Sequence, residues 1–493
     1  MYKDSIFLFR VESTMGFSTE YESSVSFDSY RISYTKDTPC DTARQGDREL
    51  VILGLAVDVR DGEGTNLPQR ILDNTKSLED ILAYEFYLGG KYILFYKDTC
   101  GAYAICDATA SIPFCYTTDG CPVLCSSNCE EIANALSLPP DEALLRIRNS
   151  GDLSQAMPYD LTVYSQIRQL LPNHYYSFGE QRAKRFVNFS TKQAPLSPLE
   201  AANQTAPYMA NILQHYEKCF KVYCPLTSGW DSRVVLSTML SKQYATETYT
   251  IRHDSFSDSE PDIVIPKKIA EAFSVTNTQI PDLEPTQTMC QDFQNQFGAT
   301  GYSKRTLMIA NTIKASYGDG AVINGDIIGQ VGKCSLHRDI PEAFATARYF
   351  RCKLHNYSKA AVHHLNRWIK SIKESGEQVN LFDLFSVESR MGRWAAQENL
   401  IYAMVGQKYL NIFNSRSIIY PWTLVPRKDR KYSKIHQELI GLTYPKLMEI
   451  PVGGAMSTAE RISKKNGLTY YLSSFAKYYY ERFCFLRKQK KGG

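Results

Sequence analysis

The sequence predicts a two-domain protein in which a layered α+β domain precedes an α/β domain with a parallel sheet and a helical carboxy-terminal part. The chain has 493 residues, which is more than one compact core usually holds. Residues 1–190 contain short β-type runs, whereas strand-like and helix-like segments alternate beyond residue 195. The stretch 191–198, Thr-Lys-Gln-Ala-Pro-Leu-Ser-Pro, separates the two patterns and is the candidate linker.

The amino-terminal part reads as mostly β with a few helices. Its apolar runs are short, rich in β-branched and aromatic residues, and separated by turn residues. This composition predicts sheets layered with helices. The expected strands begin near residues 50, 91, 103 and 122, and the expected helices cover 76–88 and 129–136.

The part from 195 to 485 has the pattern of a parallel sheet with helices on both faces. In such sheets the ligands bind at the carboxyl ends of the strands. The later stretch 381–450 is helical and rich in aromatic residues. The expected elements up to residue 280 are helix 198–219, strand 221–226, helix 232–242, strand 246–251, helix 260–273 and strand 275–280.

The loop after the first of these strands is the most informative motif. A strand, a tight small-residue turn and a helix follow one another directly, and this geometry points several backbone N–H groups at one anion, such as a polyphosphate. Ser228 and Gly229 let the backbone approach a ligand, and Ser232 adds a hydroxyl at the helix start. Asp231 would repel phosphate unless a cation lies between them, which indicates Mg²⁺. The alternative is a plain turn closed by an N-capping serine.

The loop sequence Leu-Thr-Ser-Gly-Trp-Asp-Ser-Arg resembles the Ser-Gly-Gly-x-Asp-Ser pyrophosphate loop of ATP pyrophosphatases, and most closely that of asparagine synthetase-like proteins. It is not a Walker loop, because the Gly-Lys-Ser/Thr ending is absent. The resemblance implies ATP as cosubstrate, a Rossmann-like (adenine nucleotide alpha hydrolase-like) sheet, and Arg233 as a cation for the leaving pyrophosphate. The matching positions are Thr227, Ser228 and Gly229 in place of Ser-Gly-Gly, with Asp231 and Ser232 identical.

Two further segments extend the resemblance to the nucleotide. In the family the backbone of the next strand holds the adenine, which implies this role for Ile251. The acidic residues that follow, among them Asp262, fit equally well as helix-start acids that complement the helix dipole.

The stretch Asn-Gly-Asp-Ile-Ile-Gly-Gln at 324–330 resembles the family's second ATP loop, Ser-Gly-Glu-Gly-x-Asp-Glu. Gly325 and Asp326 match its opening, while Gly329 and Gln330 stand where Asp-Glu is expected. Either Asp326 takes over the binding of Mg²⁺ or metal binding is weakened. A plain turn is the alternative interpretation.

The amino-terminal part, 1–190, resembles the glutamine amidotransferase domain of asparagine synthetases, which implies an Ntn-hydrolase-like fold. In those enzymes a cysteine exposed at the start of the mature chain attacks glutamine. This chain has Tyr2 there, and a phenol cannot replace a thiolate nucleophile. For the chain start as printed, we expect a domain that keeps its scaffold and lacks glutaminase activity.

Three carboxy-terminal features complete the resemblance. The segment 420–423, Tyr-Pro-Trp-Thr, lacks the aspartate of the family's acceptor pocket, so the acceptor is expected to differ from aspartate. Arg390 and Arg393 share a helical face and could bind phosphate or carboxylate, or else form ion pairs. Lys465, beside Lys464, is placed like the family lysine that neutralises pyrophosphate, although a solvated pair fits as well. A basic tail is expected at 486–493.

Composition limits the partners and the compartment. The 56 basic residues nearly balance 52 acidic ones, with a net charge of +4, so we expect no nucleic-acid partner. No run of about 20 apolar residues occurs, and the first residues lack a signal-peptide pattern. We therefore expect a cytoplasmic protein with no membrane partner. Cys121, Cys125 and Cys129 recur every fourth residue, but no CxxC pair exists, which favours structural thiols over a metal site.

The sequence thus predicts an ATP-dependent ligase of the AMP-forming, carbon–nitrogen type. It would adenylate a carboxylate on a small-molecule or peptide substrate and pass the acyl group to an amine donor, either ammonia or an amine of the substrate itself, as in the lactam-forming and lasso-peptide-cyclising relatives. A homodimer is compatible with this prediction. The alternative is a degenerate scaffold or nucleotide-binding protein, since Tyr2, Gly329 and Gln330 depart from the family pattern. A thiolating or RNA-modifying relative is disfavoured by the missing CxxC pair.

Overall fold

The computed structural model describes residues 5–13, 21–151, 157–187, 189–244, 247–297, 303–376, 378–453 and 466–489. Two antiparallel sheets precede the 191–198 segment and one parallel sheet follows it. The protein is therefore mixed α/β and contains a parallel sheet, as predicted. None of the helices in these ranges combines the length and the apolar character needed to cross a bilayer.

The amino-terminal part builds its two sheets from twelve strands. They are β1 Phe9–Ser13, β2 Ser23–Phe27, β3 Tyr30–Tyr34, β4 Cys40–Gln45, β5 Arg48–Asp58, β6 Leu88–Asp98, β7 Gly101–Cys106, β8 Cys115–Thr117, β9 Leu124–Ser126, β10 Ile167–Gln169, β11 His174–Ser177 and β12 Arg182–Arg185. The strand orders are β10-β8-β9-β1-β3-β2 and β12-β11-β7-β6-β5-β4. Every pairing in both sheets is antiparallel.

The two sheets pack face to face through aromatic side chains. The ring of Phe95 lies 6.2 Å from that of Phe9 and 5.7 Å from that of Phe27, which belong to the opposite sheet. At the centre of the second sheet, Gly90 has a φ of +125°, and a Cβ there would lie 2.1 Å from the carbonyl oxygen of Leu55. Only glycine allows β5 and β6 to pair at this point.

Helices cover the outer face of each sheet. Apolar residues of α1 and α2 pack on the outer side of β5 and β6, and α3 packs on β8, β9 and β10. The result is a helix-sheet-sheet-helix layering of the amino-terminal part. These helices are α1 Leu67–Asn74, α2 Leu78–Glu85, α3 Cys129–Ala135 and α4 Glu142–Arg148.

The parallel sheet has the strand order β15-β14-β13-β16-β17. In chain order this is 3-2-1-4-5, so the direction of winding reverses between β13 and β16. The carboxyl ends of these two strands therefore diverge into a crevice, which is the usual ligand site of such sheets. The strands are β13 Val222–Pro225, β14 Glu247–Arg252, β15 Thr276–Pro281, β16 Ala321–Asn324 and β17 Lys408–Asn411.

Helices surround this sheet and form the rest of the chain. Two loosely wound helices, Ile328–Gly332 and Ser386–Ala395, have the wider turn of a π-helix, and short 3₁₀ turns cover Glu342–Phe344 and Pro445–Glu449. The α-helices are α5 Pro198–Cys219, α6 Trp230–Ser241, α7 Pro261–Phe273, α8 Gln287–Phe297, α9 Lys304–Tyr317, α10 Ala347–Lys353, α11 Ala360–Glu374, α12 Leu381–Phe385, α13 Ala396–Met404, α14 Arg416–Leu424, α15 Arg427–Arg430, α16 Lys434–Thr443 and α17 Gly467–Gln489.

The two parts of the chain share one apolar core. A single cluster of buried side chains runs from Phe9 and Phe95 to Val234 and Trp422. Arg416 at the start of α14 pairs with Glu85 of α2, and both side chains are almost fully buried. The division into domains at 1–190 and 195–485 stays a prediction.

Candidate functional site

The crevice between β13 and β16 brings together the two loops that the sequence singled out. The loop 226–229 leaves β13 and enters α6, and residues 325–327 leave β16 and enter the Ile328–Gly332 helix. The two strands are neighbours in the sheet, so their loops emerge side by side. A Cβ added to Gly325 would lie 3.0 Å from Cβ of Asp231. The loops are therefore in direct contact.

Each backbone N–H of the first loop has an acceptor within the protein. The N–H of Thr227 donates to Ser232 Oγ at 3.1 Å, and that of Gly229 donates to Thr227 Oγ1 at 3.2 Å. The N–H of Ser228 donates to Asp262 Oδ1 at 2.8 Å. Asp262 belongs to the first turn of α7, so a carboxylate from another helix lies where the loop was predicted to hold an anion. The N–H of Ser228 therefore already donates to an anionic oxygen of the protein itself.

Asp231 lies in the first turn of α6, and one of its carboxylate oxygens is within hydrogen-bond distance of two donor groups. Its Oδ1 accepts from His436 Nε2 at 2.8 Å and lies 2.7 Å from Lys333 Nζ. Burial alone would raise the pKa of this carboxyl, but the hydrogen bond from His436 and the charge of Lys333 outweigh it and lower the pKa to about 2. Burial also lowers the pKa of His436, so the imidazole is neutral at pH 7. Asp231 is thus a fixed negative charge balanced by Lys333.

The second loop gives Asp231 the space that it occupies. A Cβ on Gly329 would lie 2.9 Å from Asp231 Oδ2, which is closer than such atoms approach in proteins. Gln330, next in the chain, accepts a hydrogen bond from Ser335 through its Oε1 at 3.1 Å. The resembled family has Asp-Glu at these two positions. In this chain, Gly329 has no Cβ and so leaves room for the carboxylate of Asp231.

Asp326 stands at the other side of the crevice with a second acid. Tyr409 Oη donates to Asp326 Oδ2 at 2.9 Å. Burial raises the pKa of Asp326, and the charge of Asp231 adds to that rise against the hydrogen bond. Burial and the charge of Asp326 raise the pKa of Glu398 to about 8. Titratable groups shifted toward neutral pH and grouped in a crevice are typical of reactive sites.

Arg233 has a different role from the one predicted. Its side chain is fully buried, and the guanidinium donates to the carbonyl oxygens of Leu447, Ile450 and Pro451, the last at 2.7 Å. It therefore anchors the 447–451 segment under the loop. These contacts correct its assignment as a cation for the leaving pyrophosphate, because all three hydrogen bonds point to backbone.

The donor set fits a magnesium ion only as part of a nucleotide complex. No group of three His, Cys, Asp or Glu side chains in the described ranges has the geometry of a metal site. Asp231 and Asp326 nevertheless lie close enough for the charge of one to raise the pKa of the other. Magnesium bound to phosphates needs only one or two protein carboxylates, with phosphate and water oxygens completing its shell.

Other residues from the sequence analysis lie at various distances from the crevice. Ile251 is half-buried near the carboxyl end of β14, opposite Ile280 of β15. Arg393 is buried and donates to Gln169 and to the carbonyl of Leu161, so it ties the two parts of the chain together. Lys464, Lys465 and Tyr2 lie outside the described residues.

Sequence reasoning missed three members of the site. Lys333 directly follows the glycine-punctuated second loop, and a basic residue in that position was the available signal. His436 is one of eight histidines in the chain, but its partner is 205 positions away, so no local pattern identifies it. Glu398 gains its raised pKa from burial, which only the fold shows.

The fold and the site define a doubly wound α/β protein with an anion-accepting loop at its switch point. No protein-family model matches the chain, and no curated protein matches it either. Solved structures with some similarity include NMN synthetase from Francisella tularensis, which is 14% identical, with 42% of this chain and 93% of that chain covered and a TM-score of 0.20.

Two amidotransferase or synthetase structures are similar at the same level. For glutamine phosphoribosylpyrophosphate amidotransferase from B. subtilis, complexed with ADP and GMP, the identity is 10%, the coverage is 59% of this chain and 65% of that chain, and the TM-score is 0.21. For glutamine-dependent NAD⁺ synthetase from Acinetobacter baumannii, in complex with ADP, the identity is 11%, the coverage is 71% of this chain and 70% of that chain, and the TM-score is 0.22. TM-scores this low carry no argument, so function rests on the site itself.

Proposed function

We propose that the protein is an ATP-dependent amide-forming ligase that adenylates a carboxylate and transfers the acyl group to an amine. The observation that carries the proposal is the carboxylate of Asp262 on the N–H of Ser228, beside the ionised Asp231. A loop N–H at a strand-helix junction that already donates to one carboxylate is suited to donate to a phosphate oxygen. The strand order puts this loop at the ligand-binding edge of the sheet.

The reaction has two steps. An oxygen of the substrate carboxylate attacks the α-phosphorus of ATP, an O–P bond forms, the bond between the α- and β-phosphates breaks, and pyrophosphate leaves. The amine nitrogen then attacks the acyl carbon, the C–N bond forms, the bond between the acyl carbon and the phosphate oxygen breaks, and AMP departs. The proton lost from nitrogen is released to solvent, so the carboxylate of Asp326 stays available to the magnesium ion.

Each group in the crevice has a separate role in this reaction. The backbone of 227–229 receives the phosphates once Asp262 withdraws from Ser228. Lys333 offsets the charge of Asp231, so that a polyanion can approach the loop. Tyr409 holds the carboxylate of Asp326 in place through its hydroxyl. A magnesium ion carried by the nucleotide would be held by Asp231 and Asp326 and would neutralise phosphate charge.

The amine is ammonia, supplied free or by a partner protein, or an amino group of the substrate itself. Intramolecular capture gives a lactam or a cyclised peptide. We expect no nucleic-acid partner, because the cation described beside the loop, Lys333, is a single side chain paired with Asp231 rather than part of an extended basic face.

ATP–pyrophosphate exchange tests the proposal. Labelled pyrophosphate enters ATP only when a carboxylate is adenylated reversibly, so a panel of amino acids, dicarboxylates and peptides identifies the substrate. We expect Asp231→Asn to lower exchange at least about tenfold through loss of one charged interaction. Asp292→Asn is the matched control, because Asp292 is an exposed acid on α8. Equal exchange in Asp231→Asn and wild type would contradict the proposal.

A second candidate is a nucleotide-binding scaffold without catalysis. The observation that favours it is the internal pairing of all three loop N–H groups, with Lys333 already on Asp231. A scaffold of this kind would bind ATP with an affinity that Asp231→Asn does not lower, and it would show no exchange with any carboxylate.

A further inference from the structure

A second cavity, of about 490 Å³, lies between α10, the Ser386–Ala395 helix and α17. Its size is within the usual range for small-ligand sites. Its lining includes three cations, Lys353, Arg390 and Lys477, and the hydroxyl groups of Tyr470 and Ser474. Cations and hydroxyl donors around one cavity are the complement of an anionic group.

Lys353 is held by two of the hydroxyl groups that line the cavity. Its Nζ lies 2.9 Å from Ser474 Oγ and 3.1 Å from Tyr470 Oη. Both partners are neutral, and no carboxylate pairs with Lys353 in the part of the chain that the structure describes. Its Nζ also lies 4.3 Å from the ring centre of Tyr470 and 5.4 Å from that of Tyr349, which are neutral as well. This half-buried ammonium group therefore lacks the counter-charge that buried cations normally have.

The acidic residue near the cavity does not supply that counter-charge. Glu481 of α17 lies 2.9 Å from His355 Nδ1 and 3.7 Å from Lys477 Nζ. It is therefore shared by two other side chains at the edge of the cavity.

Burial and neighbouring positive charges both destabilise the charged form of Lys353. Burial, with a smaller contribution from the charges of Arg338, Lys477 and Arg390, lowers the pKa of Lys353 to about 8. Cys352, which also lies next to it, has a pKa raised to about 11 by burial, so at neutral pH it is an uncharged thiol. A bound anion would restore the full charge of Lys353.

Arg390 connects this cavity to the proposed catalytic crevice. Its charge lowers the pKa of Asp326 and of Glu398 in the crevice, and it also lowers that of Lys353 in the cavity. One guanidinium therefore lies within electrostatic range of both places. The Ser386–Ala395 helix lines both places, since Arg390 lines the cavity while Met391 and Ala395 line the pocket that holds Asp326.

We propose that this cavity binds an anionic group of the substrate, a carboxylate or a phosphate, at a distance from the carboxylate that reacts. The substrate then carries at least two anionic groups. That the bound molecule is the ligase substrate rests on the proposed function. That the cavity binds an anion does not depend on it.

Protection of Lys353 from acetylation tests the site directly. An amine with a lowered pKa reacts readily near pH 8, and mass spectrometry of the peptide that contains it reports its rate. Inorganic phosphate and tricarballylate, added without nucleotide, are the two probes, and sodium chloride at equal ionic strength is the reference. We expect at least one probe to slow acetylation of Lys353 about threefold or more, and the stronger probe assigns the group.

Lys370 serves as the control within the same sample. It is 75% exposed and pairs with Glu374 on α11, so its acetylation should not change. Lys477→Gln should weaken protection of Lys353 about tenfold in probe concentration, as loss of one charged contact requires, whereas Lys370→Gln should not. No protection by either probe, or equal protection by chloride, would overturn the inference.

The two proposals fail separately. Protection of Lys353 together with absent ATP–pyrophosphate exchange would keep the anion site and remove the ligase. If exchange is found, Lys477→Gln should raise KM for the substrate and leave kcat near the wild-type value, because the contact is far from the reacting atoms.

Discussion

Replacing Gly329 by alanine tests the packing of the site most sharply. Gly329 has no left-handed backbone conformation and lies in a helical turn, with its N–H on the carbonyl of Gly325 at 3.1 Å. Alanine in such a place normally stabilises a protein by about 0.5–1 kcal/mol. Here the added carbon would lie 2.9 Å from Asp231 Oδ2, so the expected sign is the opposite.

The magnitude follows from what holds the carboxylate. A carbon and an oxygen in contact need about 3.3 Å, so Asp231 must move by roughly 0.4 Å. That movement strains its contacts with His436 and Lys333, and charged hydrogen bonds contribute about 1.5–3 kcal/mol each when intact. Partial loss of both, reduced by solvent screening because the side chain is 35% exposed, leaves a net loss of about 1 kcal/mol after the gain from alanine.

Urea unfolding followed by tryptophan fluorescence measures this change, since Trp230 stands next to Asp231. The matched control is Gly441→Ala, because Gly441 lies in the exposed face of α16 and an added Cβ there meets nothing within 4 Å. We expect Gly441→Ala to stabilise the protein by about 0.5–1 kcal/mol and Gly329→Ala to destabilise it. Stabilisation by both substitutions would refute the geometry of the site.

Three further predictions concern other residues of the site. Asp262→Ala should tighten ATP binding up to about tenfold, because the N–H of Ser228 loses its internal acceptor; equilibrium dialysis measures the Kd. Arg233→Met should destabilise the protein by about 2 kcal/mol in urea, since buried carbonyls lose their donor, and an unchanged midpoint would exclude the anchoring role. Glu398→Gln should become progressively more stabilising, relative to the wild type, between pH 4.5 and 8. The folded-state pKa of Glu398 is raised to about 8, so over this range the carboxyl is ionised in the unfolded state and protonated in the folded state. The stability of the wild-type protein therefore falls as the pH rises, and glutamine removes this loss.

Much of the parallel-sheet part follows from local signals. Helix α5 begins after Ser197, which forms a capping box with Glu200, and the six elements expected between 198 and 280 all occur within a few residues of their predicted bounds. Each apolar strand and each amphipathic helix produces a pattern within contiguous residues, so the sequence alone predicts it. The strand order, by contrast, depends on pairing between distant segments.

The amino-terminal sheets were predicted less completely. The expected helix 76–88 ends at Glu85, because β6 already begins at Leu88. Short strands such as β8 and β10, each of three residues, carry too few residues to show a period. Their place in the first sheet is decided by tertiary pairing.

The site was predicted in part for the same reason. The loops at 227–233 and 325–326 are sequence-local and do meet in the crevice. Arg233 sits next to the loop in sequence, yet the α6 helix turns its side chain inward to the 447–451 backbone. Lys333 and His436 reach Asp231 only through folding. The place of Lys333 directly after the second loop is a local signal, whereas no local pattern identifies His436.

The most direct measurement is a crystal structure of the protein with a non-hydrolysable ATP analogue and magnesium. We expect a phosphate oxygen within hydrogen-bond distance of the N–H of Ser228, with Asp262 displaced from it. An analogue bound elsewhere, or Asp262 still on Ser228 beside an occupied nucleotide site, would contradict this expectation.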